Sequence, residues 1–316
     1  MKFSLPKIAT APFCPPEVSG SVPVDARAPF WKRALRFAGP GLLISIGYMD
    51  PGNWATAIEA GSRYGYNLLF VVLLASLAGM AVQCLCSRLC IATGRDLAQL
   101  CRERYSKRSA RAQWVLAEIS IIATDLAEVL GCALAFHLLL GCSMTFGIAL
   151  TAFDTLLILA LQGKGFRRLE AIMLALVLTI GMCFFVELLL IKPYWPDVFE
   201  GFKPSLSAIS EAAPLYIAIG IIGATVMPHN LYLHSSIVQT RLTGTDYASK
   251  LDAVRLSRID TIGSLALALL VNAAILILAA AAFHQTGHSD VVEIQDAYRM
   301  LDPLVGGAMA SVLFGV

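Results

Sequence analysis

Charged residues are scarce in this sequence, and the shortage limits what the protein can be. Of its 316 residues only 15% are Asp, Glu, Lys or Arg, whereas 57% are hydrophobic. An ordinary soluble domain has about 25% charged residues, so this chain has too few to cover a water-exposed surface. The composition excludes a soluble enzyme, a nucleic-acid-binding protein and a disordered scaffold.

The N-terminal region lacks a secretory signal peptide. Residues 1–30 are rich in proline and contain no apolar core of the kind that such a signal requires. This composition predicts a flexible cytoplasmic tail over residues 1–32. The eight cysteines lack the grouping of a disulfide framework. The run Cys84-x-Cys86-x3-Cys90 could hold a metal through thiolates, but packing as small apolar residues is the better interpretation.

Long apolar runs are what the sequence does have, and several exceed the roughly 20 residues that cross a bilayer. Lys and Arg are concentrated in the tail and in the connections that follow the second, fourth and sixth runs. The positive-inside rule therefore places the N-terminus in the cytoplasm. The runs predict seven full spans and a partial eighth, at about 37–62, 68–92, 114–140, 144–162, 169–191, 212–239, 259–283 and 304–316.

Two of these spans contain the same defect. The first has Asp50-Pro51-Gly52-Asn53 and the sixth has Met227-Pro228-His229-Asn230. Proline has no N–H group, so each proline frees the carbonyl four residues before it, that of Gly47 or Ala224. A free carbonyl inside a bilayer must line a cavity or meet a ligand. A simple proline kink explains either break alone, but the matched pair favours a site.

The spacing of the two breaks predicts the architecture. They lie five spans apart, so the first span enters from the cytoplasm and the sixth from outside. This is typical of an all-α integral membrane protein with an inverted repeat of five plus five spans. In such folds the broken helices meet near the midplane and hold the substrate.

The groups at the breaks are candidate ligands for a metal ion. Asp50 offers a carboxylate, Asn53 an amide oxygen, and Gly47 and Ala224 their backbone carbonyls. Met227 adds a thioether, although a lone methionine is more often a packing residue. Oxygen ligands suit Mg²⁺, Ca²⁺ and Mn²⁺, whereas thioethers select softer metals. The mixture predicts a divalent transition metal such as Mn²⁺ or Fe²⁺ and discrimination against Mg²⁺ and Ca²⁺.

Acids inside the spans are candidate proton carriers. Asp125 and Glu128 are three residues apart in the third span, and Glu118 lies on roughly the same helical face. The proximity of carboxylates favours uptake of a proton by one of them. His229 could pass protons on from the site, but its spacing from His234 is poor for chelating a metal.

Four further polar residues lie inside spans or at their ends. Asp154 and Glu187 are isolated acids, and structural roles with satisfied partners, or interface positions, explain them as well as a function does. Asn272 is predicted to form an interhelical hydrogen bond or to line a vestibule. His137, near the end of a span, is predicted to be structural.

These motifs, with the run Thr124-Asp125-Leu126-Ala127-Glu128, resemble the Nramp family of proton-coupled divalent metal transporters, of the bacterial manganese type. The resemblance runs from about residue 33 to the end and implies a LeuT-type fold. It implies metal ligation by Asp50, Asn53, Met227 and the Ala224 carbonyl, with the Gly47 carbonyl contributing in some states. It also implies proton handling by Asp50, His229, Asp125 and Glu128, with Glu118 further along the exit.

The family has ten core spans, often with one more, and only part of an eighth is present in this sequence. The predicted division is a first five-helix repeat at 33–192 and an incomplete second repeat at 193–316. We expect either a fragment of a longer chain or a truncated product in which alternating access fails.

Three hypotheses for function follow. The favoured one is a multi-pass symporter of the inner (cytoplasmic) membrane that imports Mn²⁺, and also Fe²⁺, with protons. Its partners are then these ions and the lipid bilayer, the metal being a substrate and not a cofactor. A non-transporting metal-binding membrane protein or partner subunit is the alternative if 316 residues are the whole chain. An intramembrane metalloenzyme is disfavoured, since the histidine spacing lacks a shared face and no nucleophile motif accompanies it.

Overall fold

The computed structural model describes residues 20–162, 166–287, 291 and 294–298. Helices dominate these residues, and one two-stranded parallel sheet pairs β1 (Val22–Pro23) with β2 (Arg241–Leu242). The α-helices are α1 (Phe30–Phe37), α2 (Pro40–Gly47), α3 (Pro51–Tyr64), α4 (Leu69–Thr93), α5 (Leu97–Arg104), α6 (Lys107–Leu140), α7 (Met144–Gln162), α8 (Phe166–Ile191), α9 (Trp195–Gly201), α10 (Ala212–Thr225), α11 (Pro228–Ile237) and α12 (Tyr247–Ala279).

The predicted spans correspond to helices over the described part of the chain. The first span is divided between α2 and α3, and α7 supplies a shorter apolar helix, Met144–Leu157. The helices of the third and seventh spans, α6 and α12, begin earlier than predicted. Each helix includes the polar residues that precede its apolar run. The predicted eighth span lies outside the described residues. Helical segments long and apolar enough to cross a membrane are Leu69–Thr93, Lys107–Leu140, Glu170–Ile191, Ala212–Thr240 and Tyr247–His284.

The described residues divide into two compact units. The first comprises the described parts of Met1–Ile44, Met80–Ser120 and Pro228–Ser264. In it, Asp260 on α12 accepts hydrogen bonds from the backbone N–H groups of Gly39 (3.1 Å) and Gly41 (2.7 Å). These donors at the start of α2 have no partner within their own helix, so a carboxylate from another helix caps α2.

Arg241 links two distant segments of the same unit. This buried side chain donates from Nε to the carbonyl of Phe37 (2.8 Å) and from Nη2 to the carbonyl of Ala38 (2.7 Å). Both acceptors lie at the C-terminal end of α1, where carbonyl groups lack helical partners and a cation is favoured. The segment after α11 therefore holds the end of α1 in place.

The second unit comprises the described parts of Ser45–Gly79, Ile121–Met227 and Leu265–Val316. Its interior is apolar and closely packed, with α3 lying against α12 and the turn that follows it. Asn272 on α12 donates from Nδ2 to the carbonyl of Tyr48 at 2.8 Å. The predicted interhelical hydrogen bond of Asn272 is therefore confirmed, and it holds the backbone just before α3.

Gly61 allows the close approach of α3 and α12. A Cβ atom built on Gly61 would lie 2.8 Å from the Cβ of Ala279 and 2.9 Å from the backbone nitrogen of Ala280. Both distances are too short for real atoms, and small residues at such crossings let helix backbones pack tightly.

We expect Gly61→Ala to lower the free energy of unfolding by about 1–3 kcal/mol, the usual cost of overpacking a core. Gly181 on α8 is the matched control, because nothing lies within 4 Å of an added Cβ there. Gly181→Ala should raise stability by about 0.5–1 kcal/mol, the helix-interior difference between the two residues. Thermal unfolding in detergent measures both variants, and equal stability of the two would contradict the packing argument.

The predicted division into repeats at 33–192 and 193–316 is a statement about internal symmetry, and it stays a prediction.

Candidate metal site

The first helix break lies where the proline motif predicts it. Gly47 is the last residue of α2, and Pro51 and Gly52 are the first two of α3. Asp50 adopts an extended conformation (φ −73°, ψ 163°), and its Oδ1 accepts from the backbone N–H of Asn53 at 2.9 Å. An aspartate N-cap followed by proline at the first helical position is a strong helix start. The new helix therefore begins within the apolar run.

The second break matches the first. Helix α10 ends at Thr225, Val226 leaves the helical conformation (φ −98°, ψ 79°), and Pro228 is the first residue of α11. The missing N–H of Pro228 leaves the carbonyl of Ala224 without its helical partner. Both predicted helix breaks are confirmed.

Asn53 bridges the two breaks. Its side-chain Nδ2 donates to Oδ1 of Asp50 at 2.6 Å and to the carbonyl of Ala224 at 3.0 Å. Two other predicted ligand residues, Asp50 and Ala224, are thereby within hydrogen-bond distance of the Asn53 side chain, Ala224 through its backbone carbonyl. The freed carbonyl of Ala224 meets an amide, as the cost of burying an unpaired carbonyl requires.

The remaining predicted ligands are placed at the same breaks. Met227 is buried and lies directly before the proline of α11. Gly47 ends α2, three residues before Asp50. In the part of the chain that the structure describes, no group of three or more His, Cys, Asp or Glu side chains could hold a metal. The candidate ligands at the breaks are instead a mixture of carboxylate, amide, carbonyl and thioether groups.

Thr225 is a residue of this site that the sequence did not single out. It is almost completely buried, and its hydroxyl lies 3.1 Å from Oδ1 of Asn53 and 2.7 Å from the carbonyl of Ile221. The hydroxyl can donate its one proton to either oxygen. When the hydroxyl donates to Asn53, it orients the side-chain amide of Asn53. The oxygen of that amide is the predicted ligand for a cation.

We expect Thr225→Val to weaken binding of Mn²⁺ by about 10-fold or more, the usual effect of losing a group that orients a ligand. Valine has the same shape without the hydroxyl, so packing should survive. Thr225→Ser keeps the hydroxyl and should retain most of the affinity. Isothermal titration of both variants with Mn²⁺ tests this, and equal losses would assign the effect to packing instead.

The candidate proton carriers in the third span lie on α6. The charged neighbours of Glu128 are Asp125 and Asp50. An added Cβ on Gly131 would lie 2.9 Å from the Cβ of Pro51, so α6 passes directly against the first break. The structure therefore brings Glu128 within electrostatic range of both Asp125 and Asp50.

Glu118 and the two histidines are placed differently. Glu118 is exposed and accepts from the indole Nε1 of Trp114 at 2.9 Å on its own helix. His229 is the second residue of α11, directly after the proline of the break. His234 is fully buried, and its Nδ1 lies 2.9 Å from Oε1 of Gln83. The structure does not pair the two histidines at a metal site.

The cysteines of α4 pack as predicted. The thiols of Cys86 and Cys90 are buried and donate to the carbonyls of Leu231 (3.0 Å) and Ser235 (2.9 Å) on α11. None of the seven cysteines in the described residues forms a disulfide bond. The thiolate-site alternative at this run finds no support among these contacts.

The predictions for two further polar residues had different outcomes. His137 is structural as predicted, since its Nδ1 lies 2.6 Å from the carbonyl of Cys142 beyond the end of α6. Glu187 shows no satisfied partner among the described residues, so an interface position or a function for it stays a prediction. The side chain is 1% exposed, and neither carboxyl oxygen has a hydrogen-bond partner among the described residues. Sequence alone showed an acid in an apolar run but not what surrounds it.

Comparison with known proteins identifies relatives along nearly the whole chain. Residues 41–316 match the Nramp family model, described as natural resistance-associated macrophage protein-like. The divalent metal cation transporter MntH 1 of Pseudomonas aeruginosa is 72% identical over 315 residues, which is 100% of this chain and 72% of that protein. The MntH transporter of Ralstonia nicotianae is 66% identical, over 99% of this chain and 71% of its own length.

Solved structures show the same fold. A crystal structure of a mutant Eremococcus coleocola manganese transporter matches 95% of this chain with a TM-score of 0.86 and 36% identity. The match covers 64% of that transporter, so this chain spans a little under two thirds of its length. The predicted all-α LeuT-type fold with broken first and sixth spans is confirmed. The chain therefore belongs to the Nramp family, a family of membrane transporters and not of enzymes.

Proposed function

We propose that this chain is part of a proton-coupled symporter that imports Mn²⁺, and also Fe²⁺, across the cytoplasmic membrane. The observation that carries the proposal is the bridge made by Asn53, which joins Asp50 after one helix break to the Ala224 carbonyl before the other. A pair of broken helices whose free backbone groups converge is the arrangement that transporters use to hold an ion at the midplane. The metal is the cargo, and no resident cofactor is proposed.

The chemistry of the site supports a divalent transition metal. Asp50 supplies the negative charge, the carbonyls of Ala224 and Gly47 and the amide of Asn53 supply neutral oxygens, and Met227 supplies a thioether. Hydrated Mg²⁺ and Ca²⁺ gain little from a thioether, whereas Mn²⁺ and Fe²⁺ accept it. The side-chain Nδ2 of Asn53 donates to the oxygens of both Asp50 and Ala224. Those bonds hold the ligands near their binding positions, which lowers the entropic cost of binding.

The acids of α6 support proton coupling. Glu128 lies within electrostatic range of both Asp50 and Asp125, so a dication bound at Asp50 raises the cost of holding a proton in this cluster. Entry of the metal therefore favours release of a proton to a neighbouring group. We assign the transfer to Asp50, Asp125 and Glu128, with His229 beside the second break and Glu118 further along α6. The same proposal places the N-terminus in the cytoplasm, as the positive-inside rule predicts.

Transport by the protein in proteoliposomes tests this proposal. With an acidic exterior and a Mn²⁺ indicator inside, we expect uptake of Mn²⁺ together with acidification of the interior. Asp125→Asn should reduce acidification per metal ion transported, because it removes a proton carrier. Asp154→Asn on α7 is the matched control, since Asp154 is an exposed acid of the same type within an apolar helix. Binding of Mn²⁺ without any flux would instead favour a non-transporting metal-binding protein.

A further inference from the structure

Helix α1 presents three different faces, although it is only eight residues long. Its first face packs on the protein. Phe37 is buried with Ala253 and Leu256 of α12, and Phe30 and Ala34 pack against the same cluster. The guanidinium of Arg255 lies 5.1 Å from the centre of the Phe30 ring, a cation–π contact. This face fixes α1 against the start of α12.

The second face of α1 is apolar and exposed. Trp31 is 80% exposed and Leu35 is 73% exposed. They are four residues apart, so they lie side by side on the helix. Large apolar side chains are rarely left this open to water together unless they meet a membrane or a partner.

The third face of α1 is basic. Lys32 and Arg36 are also four residues apart, and both are exposed. Arg33 lies between the basic and the packed face and forms an ion pair with Asp252. Over the described residues, neither Lys32 nor Arg36 takes part in an ion pair. Two cations beside two apolar side chains are the pattern of an interfacial helix.

A cavity of about 670 Å³ opens beside this basic face. Its wall includes Lys32, Arg33 and Arg36, and the rest is made by residues 23–26, Ala28 and residues 242–244, at the two-stranded sheet. Asp25 is the acid on this wall, and its Oδ1 accepts from the backbone N–H of Arg27 at 2.9 Å. The cavity therefore has an excess of positive charge and suits an anion.

We propose that α1 is an interfacial helix that binds an anionic phospholipid. Trp31 and Leu35 enter the acyl-chain region, and Lys32 and Arg36 hold the phosphate of the headgroup at the mouth of the cavity. The position of α1 supports a lipid as the occupant, because α2 begins at Pro40, directly after it, and opens the first span. The proposed orientation then places this site in the cytoplasmic leaflet, where anionic lipids attract basic segments.

Fluorescence of Trp31 in nanodiscs tests the proposal. The acyl chains of either phosphatidylglycerol or phosphatidylcholine are brominated, and subtraction of the Trp31→Phe signal isolates Trp31. We expect brominated phosphatidylglycerol to quench Trp31 more strongly than brominated phosphatidylcholine at equal mole fraction. Each cation near an anionic surface strengthens binding about fivefold, so Lys32→Gln with Arg36→Gln should weaken the preference about 25-fold.

Two variants control for charge and folding. Arg108→Gln with Arg111→Gln removes two exposed cations from the start of α6 and should leave the Trp31 preference unchanged. Lys32→Arg with Arg36→Lys keeps both charges and should retain it. Equal quenching by the two lipids in the unaltered protein would overturn the proposal. An equal loss in the α6 variant, or displacement of the lipid by inorganic phosphate, would overturn it as well.

The proposed leaflet is tested separately from the lipid site. Cys101 lies on α5, in a connection that the orientation places in the cytoplasm. An impermeant maleimide that reaches Cys101 only from the outside of cells would refute the orientation. The quenching result would still decide whether α1 binds an anionic lipid.

Discussion

Asp50→Asn should abolish uptake of Mn²⁺ while α3 stays folded. The carboxylate of Asp50 has two roles that this substitution separates. Its Oδ1 caps α3 by accepting the N–H of Asn53, and asparagine caps helices as well as aspartate does. Its negative charge is the other role, and asparagine cannot supply it. Without that charge, the proposed site offers a dication only neutral ligands.

The measurement is Mn²⁺ uptake and Mn²⁺ affinity, read beside thermal unfolding. We expect Asp50→Asn to lower affinity at least about 100-fold, since a charge partner for a desolvated cation is worth several kcal/mol. Asp50→Ala removes both roles, so it should show the same loss and also lower stability by about 1 kcal/mol. Uptake by Asp50→Asn at the rate of the unaltered protein would refute metal binding at the breaks.

Met227→Ala should broaden the range of metals that the protein accepts. Met227 is buried beside the second break, and it is the one soft donor among the proposed ligands. Its loss leaves only oxygen ligands, which suit Ca²⁺ and Mg²⁺ as well as Mn²⁺. We expect the ratio of the affinities for Mn²⁺ and Ca²⁺ to fall by at least about tenfold, equivalent to ~1.4 kcal/mol.

Competition of Ca²⁺ and Mg²⁺ against Mn²⁺ measures this ratio. Met227→Leu is the control for volume, because leucine fills nearly the same space without sulfur. If sulfur is a ligand, the leucine and alanine variants should lose discrimination equally. If Met227 only fills space, Met227→Leu should behave like the unaltered protein, and the thioether would have no part in selectivity.

The positions of both helix breaks could be predicted from the sequence for a physical reason. Pro51 and Pro228 interrupt a helix through their own covalent structure, whatever packs around them. A bilayer offers no water to the freed carbonyl of Ala224, so a partner for it could be expected before any contact was known. The structure supplies that partner in Asn53, one of the proposed ligands.

Contacts between distant residues could not be predicted in this way. Thr225 has no local signature, since threonine occurs in many spans, and its contact with Asn53 joins residues 172 positions apart. For Glu187 the sequence left a satisfied partner and an interface position open, and its carboxyl group is buried without a hydrogen-bond partner among the described residues. Both outcomes depend on which helices become neighbours.

The sequence by itself determined the apolar spans, the two broken helices and the types of candidate ligand at each break. These follow from hydrophobicity and from the missing N–H of proline, which act on short stretches of chain. Only the tertiary structure decided that Asn53 reaches Ala224, that α6 carries Glu128 to Asp50, and that α1 exposes Trp31 beside Lys32. Those facts depend on packing between segments far apart in the chain, because a side chain's neighbours are set by the fold and not by its own chemistry.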